Sequence, residues 1–193
     1  DRFEYAAERD IFDYVYDGEI LRTLKGRKNS KKRNHINYFL SEYEGRFEYR
    51  LLGKADFDDC RQLLDDWTVN KEENNNIEEG VDDERLGIEK LFAHYDEVCD
   101  RLKIAGIYID GKLEAFTMGE LLNDNMALIH IEKANPEIRG LYPYINQQFL
   151  VHEFQDVEFV NREEDMGIEG LRKAKLSYHP CKFVEKYTVR EAN

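Results

Sequence analysis

Apolar residues along this chain recur first at a spacing of three to four and later at a spacing of two, which predicts helices and strands in a definite order. Residues 1–16 carry Phe3, Tyr5, Phe12, Tyr14 and Tyr16 in partial alternation and read as an extended lead-in, closed by Asp17-Gly18. A short helix over 19–25 stops at Gly26, and Ile36, Phe39, Leu40 and Tyr43 mark a helix over 30–43. A strand over 47–52 precedes a helix over 55–70 with Phe57, Cys60, Leu63, Leu64 and Trp67 on one side. The acidic, Asn-rich stretch 71–83 reads as a loop, and 84–102 as the next helix.

The period then changes. Residues 104–109 and 112–122 read as strands joined by the hairpin signal Asp110-Gly111, and 126–133 as a third strand ended by Asn135-Pro136. A helix over 140–154 follows, with Pro143 tolerated in its first turn. A strand over 157–160, a helix over 167–178 and a last strand over 182–189 complete the chain. This order predicts an α/β (α+β) fold with a mixed central sheet and helices on both faces.

At 193 residues, 41% hydrophobic and with 12 Tyr, 11 Phe and 1 Trp, the chain has the means to bury one sizeable core. No apolar run reaches bilayer length and no signal peptide is visible, so a cytoplasmic protein is expected. Cys60, Cys99 and Cys181 are too widely spaced for a metal knuckle, and the five histidines form no HExxH pair, so no metal is expected.

The net charge of −13 argues against indiscriminate nucleic-acid binding. It hides an island, however: Lys25, Arg27, Lys28, Lys31, Lys32 and Arg33 stand together without an acid, leaving −19 on the remainder. Such an island, with His35 and Asn34 beside it, is a candidate contact for tRNA or another polyphosphate. A solvated basic helix end explains the same pattern. The stretch from Asn161 to Tyr178 has the opposite polarity, with Glu163, Glu164 and Asp165 first and Arg172, Lys173 and Lys175 later, as a helix macrodipole favours.

The element order resembles the N-acetyltransferase-like (GNAT) fold, in which two central strands diverge around an acyl donor. Three longer stretches narrow the likeness. They are Leu24-Lys-Gly-Arg-Lys-Asn-Ser-Lys-Lys-Arg-Asn-His-Ile-Asn37, Phe116-Thr-Met-Gly-Glu120 leading to Ile129-His-Ile-Glu-Lys-Ala-Asn-Pro136, and Asn161-Arg-Glu-Glu-Asp165 leading to Leu171-Arg-Lys-Ala-Lys-Leu-Ser-Tyr178. Together they resemble the soluble bacterial proteins grouped with the phosphatidylglycerol lysyltransferase C-terminal domain. The resemblance implies a transferase scaffold and a preceding GNAT-like half. Residues 1–45 are then expected as a lead-in and basic helix packing on that half, and 46–193 as the GNAT-like domain.

Relatives in that family move an aminoacyl group from aminoacyl-tRNA to a lipid headgroup, so the resemblance implies an acyl- or aminoacyltransferase with aminoacyl-tRNA or acyl-CoA as donor. The acceptor would be an amine or hydroxyl of a small molecule or a lipid headgroup. In place of a Gly-rich pyrophosphate loop the chain has Asn135-Pro-Glu-Ile-Arg-Gly140, which leaves Arg139 and Gly140 as candidate cofactor contacts. His130 and Glu132, two apart on a strand, are expected on one face as base and orienter, with Ile129 and Ile131 on the other. Polar sheet residues that bond a loop would give the same pattern. Tyr178 is the candidate acid by analogy with the GNAT tyrosine, and Glu120 is expected to face the same cleft. Asn161, Glu163, Glu164 and Asp165 are candidate contacts for a cationic amino acid. The reaction is expected between the strands over 126–133 and 157–160. Two other readings remain: a non-catalytic RNA- or anion-binding module, and a structural half of a two-domain protein.

Overall fold

The computed structural model describes residues 2–73 and 81–192. Its centre is the meander that the Asp110-Gly111 signal marks: β4 (Lys103–Ile109), β5 (Lys112–Asn123) and β6 (Met126–Ala134), all antiparallel. Both turn residues have positive φ, 51° at Asp110 and 83° at Gly111, as a two-residue hairpin requires. β3 (Phe47–Leu51) pairs with β4 on one side, and β7 (Phe159–Asn161) joins β6 in parallel on the other. The crossover between β6 and β7 is α6 (Leu141–Glu153).

β2 (Asp13–Asp17) lies inside this sheet, between β7 and the edge strand β8 (Lys182–Val184), giving the order β3-β4-β5-β6-β7-β2-β8. The first 45 residues are thus more than a lead-in. Tyr14, Val15 and Tyr16 are fully buried, a continuous run typical of a strand covered on both faces. The expected final strand is two: β8 stays in this sheet, whereas β9 (Tyr187–Glu191) pairs only with β1 (Phe3–Ala7).

Each face of the sheet has its own core. On one, α1 (Gly18–Thr23), α2 (Ser30–Glu42) and α6 bury Leu21, Ile36, Phe39, Ile145 and Phe149 against Ile107, Ala127 and Ile129. On the other, α3 (Phe57–Glu73) and α4 (Val81–Ala93) bury Phe57, Leu63, Ile88 and Phe92 against Ile104, Phe116 and Met118. The segment expected as helix over 84–102 breaks after Ala93 and resumes as the one-turn α5 (Tyr95–Val98). Of the expected loop 71–83, residues 74–80 lie outside the described residues and the flanking positions are helical. α7 (Glu169–Leu176) packs its Lys175 inward, next to β2.

Candidate active site

The parallel pairing of β6 with β7 is short. It covers Met126↔Phe159, Ala127↔Val160 and Leu128↔Asn161, after which β6 runs on to Ala134 while β7 ends. The strands part there, and the residue after β7, Arg162, reaches across the opening. Its Nη2 donates to Glu132 Oε1 at 3.0 Å, and Asn146 Nδ2 on α6 donates to Glu132 Oε2 at 2.8 Å. The guanidinium also lies over the rings of Tyr178 at 4.7 Å and Tyr16 at 5.7 Å. Arg162 Nη1 and Asn146 Oδ1 are buried without a hydrogen-bond partner among the described residues. A buried donor left unpaired in this way is costly unless a ligand or water meets it.

Lys175 secures this geometry. Its Nζ donates to the carbonyl oxygens of Arg162, Glu163 and Glu164, and its own carbonyl accepts from Tyr16 Oη at 2.9 Å. Burial, reinforced by the nearby Arg162 charge, lowers the Lys175 pKa to about 8. Tyr178 is 8% exposed; burial raises its pKa, against the opposing pull of Arg162, so the phenol keeps its proton at neutral pH. Lys32 also stands over the Tyr178 ring, its Nζ 3.8 Å from the ring centroid and 2.7 Å from Ser177 Oγ. Burial, followed by repulsion from Arg162 and Lys31, brings the Lys32 pKa down to about 8.

The expected pairing of His130 with Glu132 does not form. Met118 faces Ile131 and Gly119 faces Ile129, so His130 is the extra residue of a β-bulge. The bulge breaks the alternation: Ile129 packs in the α6 core and Ile131 against the opposite one. Glu132 turns to Asn146, whereas His130 is held between Glu163 (2.9 Å from Nδ1) and Glu120 (3.3 Å from Nε2). The hydrogen bond with Glu163, partly offset by burial, raises the His130 pKa. Both ring nitrogens of His130 are therefore engaged by carboxylates. Glu132 has both oxygens engaged, one by Arg162 and one by Asn146.

The acids of the 161–165 stretch are likewise occupied. Helix α7 begins at Glu169, not at Gly167, and the acids precede it in a turn where Glu163, Met166 and Gly167 have positive φ. Asp165 is fully buried; it accepts from Gly167 N, Tyr14 Oη and two nitrogens of Arg172, with Arg9 at 3.4 Å. Glu164 pairs with Lys186 at 2.8 Å, and Asn161 bridges Asp13 and the Glu163 backbone. These groups tie the turn to β2, α7 and Lys186.

The basic island divides. Arg33 donates to the carbonyls of Leu24 and Gly26, Lys32 belongs to Tyr178, and Lys25 pairs with Glu19. Burial and the charges of Arg139, Lys31 and Lys32 lower the His35 pKa, and Arg139 lies 4.8 Å over Tyr38. Lys25, Arg27 and Lys28 line a cavity of about 530 Å³ whose wall includes Tyr16 and Tyr178. The island and the tyrosine, far apart in sequence, therefore share one cavity.

Arg139 and Gly140 stand at the start of α6, packed close against α2. A Cβ on Gly140 would stand 2.1 Å from the His35 carbonyl oxygen, so α2 already fills the space beside this glycine. The N–H groups of Glu137, Ile138 and Leu141 are bonded within the same loop.

Sequence reasoning missed Arg162, Asn146 and Tyr16. The available signal for Arg162 was a single base placed among acids next to a strand end, where burial demands a partner.

The sequence model described as phosphatidylglycerol lysyltransferase, C-terminal, matches residues 1–190. A conserved protein of unknown function from Bacteroides thetaiotaomicron is 36% identical, with a TM-score of 0.89 over 100% of this chain and 63% of its own. An uncharacterized protein of Mycoplasmoides gallisepticum is 26% identical over 92% of this chain and 56% of its own length. The structure of L-PGS from Bacillus licheniformis is 15% identical, with a TM-score of 0.63 over 98% of this chain and 61% of its own, and shares the fold. This chain thus spans less than two thirds of each of these proteins. No helix among the described residues is long and apolar enough to cross a membrane. The fold is GNAT-like, and the chain belongs to the phosphatidylglycerol lysyltransferase C-terminal family.

Proposed function

We propose that this chain carries the reaction centre of an aminoacyl or acyl transferase, set where β6 and β7 part. The observation that supports this most is the buried Arg162 guanidinium, held by Glu132 beside Tyr16 and Tyr178, with Nη1 lacking a well-formed hydrogen bond among the described residues. A buried guanidinium N–H not fully engaged by its neighbours suits an oxygen that gains charge only during reaction.

The acceptor's nitrogen or oxygen attacks the carbonyl carbon of the donor ester, and the carbonyl oxygen becomes an oxyanion facing Arg162. Lys32, whose pKa lies near 8, takes the acceptor's proton. The carbon–oxygen bond to the donor then breaks, and the leaving oxygen receives the Tyr178 phenolic proton. Solvent exchange returns a proton from Lys32 to Tyr178. The crowded Gly140 corner favours an aminoacyl ester, such as aminoacyl-tRNA, over acyl-CoA as donor. The acceptor is an amine or hydroxyl of a small molecule or lipid headgroup. Localisation in the cytoplasm fits such a donor.

The test is to incubate the protein with radiolabelled aminoacyl-tRNA and a panel of amine and hydroxyl acceptors, following label through to product. Transfer that falls about 100-fold or more in Arg162→Lys supports the assignment, the size expected for a lost oxyanion donor. Bound tRNA whose ester is never consumed with any acceptor would favour the alternative, a non-catalytic RNA-binding module, for which the Lys25–Lys28 rim is the supporting feature.

A further inference from the structure

Strand β3 is one rim of the seven-stranded sheet, and its pairing with β4 leaves its other side open. The Leu52 N–H donates to the Ile104 carbonyl, and the Arg46 carbonyl accepts from the Asp110 N–H. Even-numbered residues of this strand therefore turn their backbone groups to β4. Phe47, Tyr49 and Leu51 point theirs outward, where no hydrogen bond among the described residues meets them. The register with β4 is regular, and no proline interrupts the strand, so nothing in its backbone blunts the rim.

The sequence of this rim is self-complementary. Phe47-Glu48-Tyr49-Arg50-Leu51, laid antiparallel on a second copy about Tyr49, sets Glu48 opposite Arg50 and Phe47 opposite Leu51, each twice. The parity agrees. Residues 47, 49 and 51 become the hydrogen-bonded pairs, and 48 with 50 the non-hydrogen-bonded ones, whose Cα atoms approach to about 4.5 Å. Opposite charges placed there stabilise a strand pair, and like charges weaken it. The Glu48 and Arg50 side chains are 63% and 44% exposed, and their contact within the strand, 3.7 Å, is looser than the 3.0 Å from Arg50 to Asp56. Asp56 thus positions the guanidinium and leaves a face of it to solvent. On the opposite side of the strand Phe47 and Tyr49 pack on the core, while Leu51 stands 53% exposed where the second copy's Phe47 would cover it. The other rim of the sheet, β8, is Lys182-Phe-Val184, with one charge and no complement within itself.

We infer that β3 pairs antiparallel with β3 of a second copy, continuing the central sheet across a two-fold axis at Tyr49. Two five-residue strands bury less than a standard interface, so the dimer is weak and dissociates in the micromolar range. β4 and β5 separate this rim from β6, so pairing leaves the opening between β6 and β7 free and is measured without transfer.

Sedimentation equilibrium of the protein over a rising concentration series should show monomer passing to dimer. Glu48→Arg sets arginine against arginine and should weaken association by about tenfold, as should Arg50→Glu, which sets glutamate against glutamate. Mixed in equal amounts, these two variants regain opposite charges at both positions and should associate about as tightly as the wild type. If Arg50→Glu disturbs folding through Asp56 and Tyr108, which Arg50 contacts, hydrogen exchange of the wild type decides instead. The amides of Phe47, Tyr49 and Leu51 should then slow as protein concentration rises, whereas those of Glu48 and Arg50, already turned to β4, should not. A monomer throughout the series, a dimer that Glu48→Arg leaves intact, a mixture of two folded variants that stays monomeric, or rim amides indifferent to concentration would overturn the inference.

Discussion

The turn at 161–165 and the loop at 25–28 are both dense in charge, yet they differ in what those charges meet. In the turn, Asp165 is enclosed by Arg172, Tyr14 and Arg9, Glu164 meets Lys186, and Glu163 meets His130. In the loop, Arg27 and Lys28 have no ion-pair partner among the described residues, although Asp17 lines the same cavity. Charge density alone does not mark a site. A charge whose partners are built in fixes the fold, and one whose partner is missing is free to meet a ligand.

The largest effect should come from breaking the partnered set. Asp165→Asn removes the buried charge that two arginines and a tyrosine are arranged around, and should cost about 3–5 kcal/mol in urea unfolding. The same carboxylate gives the contrast a pH signature. Burial alone would raise its pKa, but hydrogen bonds from Arg172, Tyr14 and the Gly167 N–H pull it well below the ordinary range. A folded-state pKa below the unfolded value contributes stability that is complete above about pH 4 and is lost as the pH falls further. Wild-type stability should therefore drop on acidification more steeply than that of Asp165→Asn, measured by unfolding midpoints between neutral pH and pH 3.

Gly140→Ala comes next. It meets both a carbonyl oxygen at 2.1 Å and a φ of 91°, so it should cost about 2 kcal/mol or more through the separation of α2 and α6. A smaller loss in thermal unfolding would mean that the Gly140 corner is loose enough to admit a phosphate. The smallest effect belongs to the unpartnered set: Arg27→Ala with Lys28→Ala should change stability by less than about 0.5 kcal/mol. A larger loss would place these side chains among the structural charges and close the distinction.

The meander and its flanking helices were legible in the sequence because turn chemistry and period fix them locally, as at Asp110-Gly111. The sheet position of Tyr14-Val15-Tyr16 was not, since tyrosines in a partly alternating run look the same on an exposed strand as in a buried one. The split of the last strand depends on which partner each half finds, β2 or β1. The site suffered most from the bulge at His130, which exists only in the register of β6 against β5. One extra residue sent Glu132 and His130 into separate networks. Tyr178 and Lys25, Arg27 and Lys28 were picked out by residue type; that they share a cavity follows from α1, α2 and α7 meeting around β2.

The most direct test of the reaction centre is Tyr178→Phe, which removes one oxygen and keeps the ring that Lys32 and Arg162 lie over. Single-turnover transfer from bound aminoacyl-tRNA should slow by about 100-fold, as loss of a general acid does, while binding of the tRNA stays within twofold. An unchanged transfer rate in this variant would contradict the placement of the reaction beside Tyr178.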